Sequence, residues 1–185
     1  MSGSEPYFDA LCRAMNMLAQ HPDTIFMGQG VAVPGTTMSD TLKDVPLEKR
    51  LEMPVAEDMQ MGMAIGMALK GAIPICIFPR WNFLICAMNQ LVNHLDRLPL
   101  YGNVWPKVII RVATPSKHPF NPGPQHDDDF CGLFKWKCLR TVNVVDMYSH
   151  EDFIEQSYTK ALNSDRSTIL VEYTELYKNA RAESH

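Results

Sequence analysis

At 185 residues, 46% hydrophobic and 21% charged, the chain is sized for one globular domain with an adequate core, or one domain with a long loop. A net charge of −4 argues against a nucleic-acid surface, so Lys135-Trp136-Lys137 reads as a solvated basic edge. No apolar run approaches the ~20 residues of a membrane span, and Met1 to Pro6 is polar with no basic-then-apolar signal after it; a cytoplasmic protein without membrane contact is expected.

In chain order, Tyr7 to Gln20 places Phe8, Leu11, Cys12, Met15 and Leu18 at helical spacing. Thr24 to Met27 reads as a short strand ended by Gly28-Gln29-Gly30. Val31 to Leu51 is a long connection with a turn at Pro34-Gly35. A helix over Asp58 to Leu69 is followed by a strand over Ile73 to Phe78 and a second helix over Asn82 to Leu95. Val108 to Val112 is a strand leading into the Pro- and Gly-rich stretch Thr114 to Pro124. Strands at Thr141 to Val145 and Thr168 to Val171 flank a helix over Glu151 to Asn163, with Ser149 as its cap. Strands alternating with helices predict an α/β fold with a doubly wound, mostly parallel sheet and helices on both faces. Ligand sites in such sheets gather at the carboxyl ends of strands.

Several short patterns fall at those ends. Met53-Pro54-Val55-Ala56-Glu57 would leave a carboxylate at the top of the sheet, where burial could tune it for proton exchange. An acid there also suits the first turn of a helix, where the dipole favours it. Ile77-Phe78-Pro79-Arg80-Trp81-Asn82-Phe83 is aromatic-rich, with Trp81 read as core. Asn121-Pro122-Gly123-Pro124-Gln125-His126 ends in an imidazole, which titrates near neutrality. Met59, Met63 and Met67 recur every four residues and read as core packing; Gly62 and Gly66 invite close backbone approach. Cys12, Cys76, Cys86, Cys131 and Cys138 show no C-x-x-C pair and read as reduced core thiols.

The run from Glu57 through Gly62-Met63-Ala64-Ile65-Gly66-Met67-Ala68-Leu69-Lys70-Gly71 resembles the pyrimidine-binding domain of thiamine-diphosphate enzymes. It is most similar to the N-terminal domain of the beta subunit of 2-oxo-acid dehydrogenase E1 components, within the transketolase-like family. The likeness continues through Phe83, Gly123-Pro124-Gln125-His126, Lys107 to Arg111, Thr141 to Val145 and Ser167 to Tyr173, and so covers nearly the whole chain.

This resemblance implies one pyrimidine-binding domain over 1–185. It implies that Glu57 hydrogen-bonds N1′ of the cofactor's aminopyrimidine and that Phe83 packs on the ring. His126 would then handle protons at the substrate-derived centre. Gln29, Glu57 and Phe83 are thus the cofactor-binding candidates, Glu57 and His126 the catalytic ones, and no metal ligand is assigned. Two departures stand out: Gln29 occupies a position where the family commonly has an acid, and Asp127-Asp128-Asp129 follows His126 in place of Ser-Gln.

The chain contains no Gly-Asp-Gly, the start of the segment that holds the diphosphate and magnesium in these enzymes. Thiamine diphosphate and Mg2+ are therefore expected only with a separate diphosphate-binding, E1 alpha-like subunit. A heterotetramer is the expected assembly, self-associated through the helix over 58–70. A C-terminal E1 beta domain and a diphosphate-binding domain are expected to be absent from 1–185. The implied reaction is decarboxylation of a 2-oxo acid, followed by transfer or carboligation of the activated aldehyde. Transketolase-type glycolaldehyde transfer, or a non-catalytic interaction protein derived from the domain, are the alternatives.

Overall fold

Strands built from Val, Ile, Phe and Cys form the centre of the chain. The structure, a computed structural model, describes residues 7–33, 36–114, 123–148 and 152–180. Its strands are β1 (Thr24–Gly28), β2 (Arg50–Glu52), β3 (Ile73–Phe78), β4 (Ile109–Thr114), β5 (Asn143–Asp146) and β6 (Thr168–Tyr173). They form one sheet in the order β2-β1-β3-β4-β6-β5, with every pairing parallel. The fold is the doubly wound α/β arrangement expected from the sequence. β3 and β6 are buried at every position, which is why they read as near-continuous apolar runs.

Alternation along the strands divides the core in two. Ile75 and Ile77 of β3 join the helices α1 (Tyr7–Gln20) and α7 (Asp152–Asn163) on one face, while Cys76 and Phe78 join α3 (Glu57–Ala68) and α4 (Trp81–Cys86) on the other. Leu11, Met15 and Leu18 of α1 have no exposed surface, as their spacing predicted. Between β4 and β6, Arg111 donates from Nε and Nη2 to the two oxygens of Glu172, at 2.6 and 3.0 Å, with both side chains fully buried. Tyr158 and Tyr177 also donate to that carboxylate, so the buried charges are paired and hydrogen-bonded. No helix among the described residues is long and apolar enough to cross a membrane.

Several expectations are corrected. The connection over 31–51 contains a short helix α2 (Thr37–Asp40), a 3₁₀ turn at Leu47–Lys49 and the edge strand β2. The helix expected over 82–95 breaks into α4 and a π-helical turn at Asn89–Leu95, with a short helix α5 (Leu98–Gly102) after it. The strand expected from Thr141 starts at Asn143. Buried Asp96 accepts the amides of Arg140, Thr141 and Val142, curving those residues around a carboxylate and away from the ladder.

Met59 and Met63 are 44% and 40% exposed, so only Met61 of that helix is a buried methionine; neighbours cover one side of α3 and leave an apolar outer side. Cys12, Cys76 and Cys131 are core thiols, but Cys86 is exposed and Cys138 half-buried. The expected turn at Pro34-Gly35 and the cap at Ser149 lie outside the described residues.

Candidate functional site

The chain leaves β1 for β2 on one side, and from β2 it crosses back over β1 to β3 on the other. That reversal opens a crevice at the carboxyl ends of β1 and β3. Gln29 follows β1, Glu57 opens α3, and Arg80 to Phe83 follow β3. His126 comes after β4, the next strand over.

Close approach of β1 to β3 depends on Gly28. A Cβ there would sit 2.6 Å from the carbonyl oxygen of Ile77, so only glycine lets the strand ends converge. Gln60, one turn into α3 and 1% exposed, donates from Nε2 to the carbonyls of Met27 and Ile77, each at 3.3 Å. This amide ties α3 to both strand ends and so sets the height of Glu57, three residues earlier on the helix.

Glu57 is half-buried in the first turn of α3, not sunk in an apolar site as the sequence suggested. Its helix starts one residue earlier than expected, and the turn projects the side chain to the rim. There Gln29 donates from Nε2 to Glu57 Oε1 at 3.2 Å. The loop carrying Gln29 is held by a residue the sequence reading missed. Glu52, at the end of β2, accepts the amides of Gly30 at 2.6 Å, Ala32 at 2.7 Å and Val33 at 3.3 Å. Its modest burial pushes the carboxyl pKa up, but the Ala32, Gly30 and Val33 amides outweigh that and hold it below the usual range. The available signal was an acid ending an edge strand opposite a Gly-x-Gly turn.

Beyond the end of β3, Trp81 is fully buried, as read from the sequence. It stacks on Phe134 at 5.2 Å between centroids, meets Phe130 edge-on at 6.5 Å, and donates from Nε1 to Thr114 Oγ1 at 3.2 Å. That anchor turns Phe83, two residues on, toward the rim. Its half-buried ring lies 5.7 Å from the His126 imidazole, tilted by 54°. A turn closed by the His126 amide on Gly123 O, with Gly123 at φ 80°, presents the imidazole. His126 Nδ1 is buried with no hydrogen-bond partner among the described residues. Asn121 and Pro122 of the same motif lie outside those residues.

The four residues singled out in sequence thus form two contacting pairs, Gln29 with Glu57 and Phe83 with His126. Of the acids after His126, Asp129 accepts the Cys131 amide at 2.8 Å and starts the next helix. Among the described residues, no group of three His, Cys, Asp or Glu side chains is placed to hold a metal ion. The set offers a carboxylate and a carboxamide beside each other, a ring face and an imidazole: donors and acceptors suited to a planar nitrogen heterocycle.

No protein-family model matches the chain. It is 34% identical over 111 residues to the pyruvate dehydrogenase E1 component subunit beta of Gracilaria tenuistipitata var. liui, covering 56% of this chain and 34% of that one. With the mitochondrial subunit beta of Caenorhabditis elegans it shares 29% over 173 residues, or 91% of this chain and 48% of that one. Among solved structures, a split-gene transketolase described as an inactive beta4 tetramer superposes with a TM-score of 0.71 at 16% identity, over 92% of this chain and 52% of that one. The transketolase of Campylobacter jejuni subsp. jejuni NCTC 11168 gives 0.67 at 13% identity, over 92% and 26%. The chain spans a third to a half of the curated relatives named here.

Proposed function

We propose that this chain, which has a transketolase-like pyrimidine-binding fold and resembles E1 beta subunits, supplies the pyrimidine-binding half of a thiamine-diphosphate site. The observation that carries the reading is the Gln29–Glu57 hydrogen bond beyond the carboxyl end of β1, with the Phe83–His126 pair following the neighbouring strands β3 and β4. The residues present fit an aminopyrimidine. Among the described residues Glu57 Oε2 accepts no side-chain hydrogen bond and can meet a ring nitrogen, Phe83 offers a face, and His126 Nδ1 has no partner. When bound, the cofactor supplies a carbon acid that becomes the nucleophile toward a 2-oxo acid.

Within this reading Glu57 exchanges a proton with the aminopyrimidine ring, and Gln29 holds the carboxylate in place. An amide at position 29 keeps the hydrogen bond without adding a second negative charge. His126 handles a proton at the substrate-derived centre after decarboxylation. In this reading thiamine diphosphate and Mg2+ are held chiefly by a Gly-Asp-Gly…Asn segment that is not within 1–185, and we place that segment on a separate, E1 alpha-like subunit. The outer side of α3, with Met59, Met63 and Gly66, is the contact for self-association; Gly62, expected to share it, instead faces Gln90 of the same chain, 3.6 Å from a Cβ placed there. A cytoplasmic location belongs to the same proposal.

The test is C2–H exchange of thiamine diphosphate in deuterium oxide, followed by NMR, with this chain mixed with a Gly-Asp-Gly…Asn subunit. Glu57→Gln should slow exchange by about 10²–10⁴-fold, the range for a general acid–base group. His126→Ala should leave exchange intact and impair a later step. Equal exchange by the Glu57→Gln mixture and the parent would remove Glu57 from the mechanism.

A further inference from the structure

The basic edge read as merely solvated has a shape that solvation does not explain. α6 (Cys131–Leu133) runs into a π-helical turn at Phe134–Cys138. Phe134 has no exposed surface, while Trp136, two residues on, is 73% exposed and Leu133, one turn before it, is 45% exposed. Lys135, Lys137 and Arg140 are exposed around them, and Lys135 Nζ lies 5.3 Å from the Trp136 ring centroid. Three cations within six residues stand out on a chain whose net charge is −4.

Single exposed apolar residues are ordinary on soluble proteins. Here two large ones stand three residues apart on one short segment that also carries three exposed cations, and the segment is rigidly backed. The Phe134 and Phe130 rings lock it to Trp81, whose indole is hydrogen-bonded to Thr114. A tryptophan on a backed surface loses little freedom on binding, and Trp and Arg are the residue types that dominate interface energetics. Exposed acids Asp128 and Asp129 lie on the chain just before α6, so an acidic partner is repelled there and drawn toward residues 135–140.

We propose that Leu133, Lys135, Trp136, Lys137 and Arg140 form a docking surface for an acidic patch with an apolar centre on the separate diphosphate-binding subunit. This rests on the two-subunit reading above and adds the place and chemistry of the contact. Continuity supports it: Trp81, which backs the surface, also begins the helix that carries Phe83, so the docking segment and the site rim share one aromatic anchor.

The experiment titrates this chain, and its variants, into the Gly-Asp-Gly…Asn subunit and follows association by calorimetry and sedimentation at low and high salt. Trp136→Ala should weaken association by at least about tenfold, as hot-spot truncations do. Lys135→Glu with Lys137→Glu should weaken it further, with the deficit shrinking as salt rises. Lys135→Arg with Lys137→Arg should retain binding. All are surface changes, and circular dichroism melts matching the parent establish that each variant is folded. If the parent associates and the Trp136 and charge-reversal variants associate equally well, the docking surface is wrong while the two-subunit reading stands. If the parent binds a single-stranded oligonucleotide as tightly as the subunit, the surface is a nucleic-acid site and the proposal is overturned. If the parent does not associate at all, the two-subunit reading fails and takes this inference with it.

Discussion

Replacing Gln29 with Glu is the sharpest probe of the site, because it restores the acid common in the resembled family and sets two carboxylates side by side. Gln29 Nε2 stands 3.2 Å from Glu57 Oε1, so the new oxygen would face the old one at about that distance. Two unit charges so placed repel by about 1 kcal/mol in water and about 5 kcal/mol at an effective dielectric near 20. Both side chains are half-exposed, which favours the lower end, about 1–2 kcal/mol once the lost hydrogen bond is included.

The folded variant relieves the repulsion by sharing a proton, so its pair holds that proton above the pH at which the unfolded chain releases it, near 4.3. Above that pH the unfolded state binds fewer protons, and stability falls as pH rises. The fall is complete about one unit higher, once both groups ionise. Relative to the parent, the variant should therefore lose about 2–8 °C in Tm at pH 7 and almost nothing at pH 4. Thermal melts across pH 4 to 8 measure this, and Gln29→Glu with Glu57→Gln should erase the pH-dependent part. A parent-to-variant difference that is flat with pH would mean the two side chains do not meet, and the proposed carboxylate–carboxamide pair would be abandoned.

Glu52 has the opposite sign: its folded pKa is depressed, so its stabilisation is present above about pH 4.3 and is lost as pH falls through the folded value. Glu52→Gln should flatten the acid limb of the stability curve and speed amide exchange at Gly30 and Ala32, whereas unchanged exchange would mean the loop is held by something else. Gly28→Ala puts a Cβ 2.6 Å from Ile77 O, so urea melts should show a loss of at least about 1–3 kcal/mol; a neutral result would rule out the close β1–β3 approach. A Cβ on Gly66 meets nothing within 4 Å in the isolated domain, so Gly66→Leu should leave the melting curve near that of the parent while reducing self-association in sedimentation. A smaller Tm with intact oligomers would place Gly66 in the fold and not at a contact.

Much of this molecule was readable before any coordinates. Short continuous runs rich in Ile, Val and Phe, set between helical patterns, read as strands buried on both faces, so β3, β4 and β6, and with them the parallel α/β class, follow from local patterning. Trp81 as core, and the carboxylate, aromatic and histidine motifs as separate candidates near strand ends, were legible because each is a short run with its own chemistry. Burial and contact across the chain were not. The exposure of Met59 and Met63 depends on which side of α3 the sheet covers, and a helix apolar all round gives no hint of that. Likewise Glu52 and Gln60 act on backbone groups 17 to 33 residues away, and Asp96 on amides 44 to 46 residues away. Partners at such separation are chosen by strand order and crossover. A polar side chain carries no sequence mark of which distant amide or carbonyl it will meet, and so tertiary structure alone decided how the rim of this site is held.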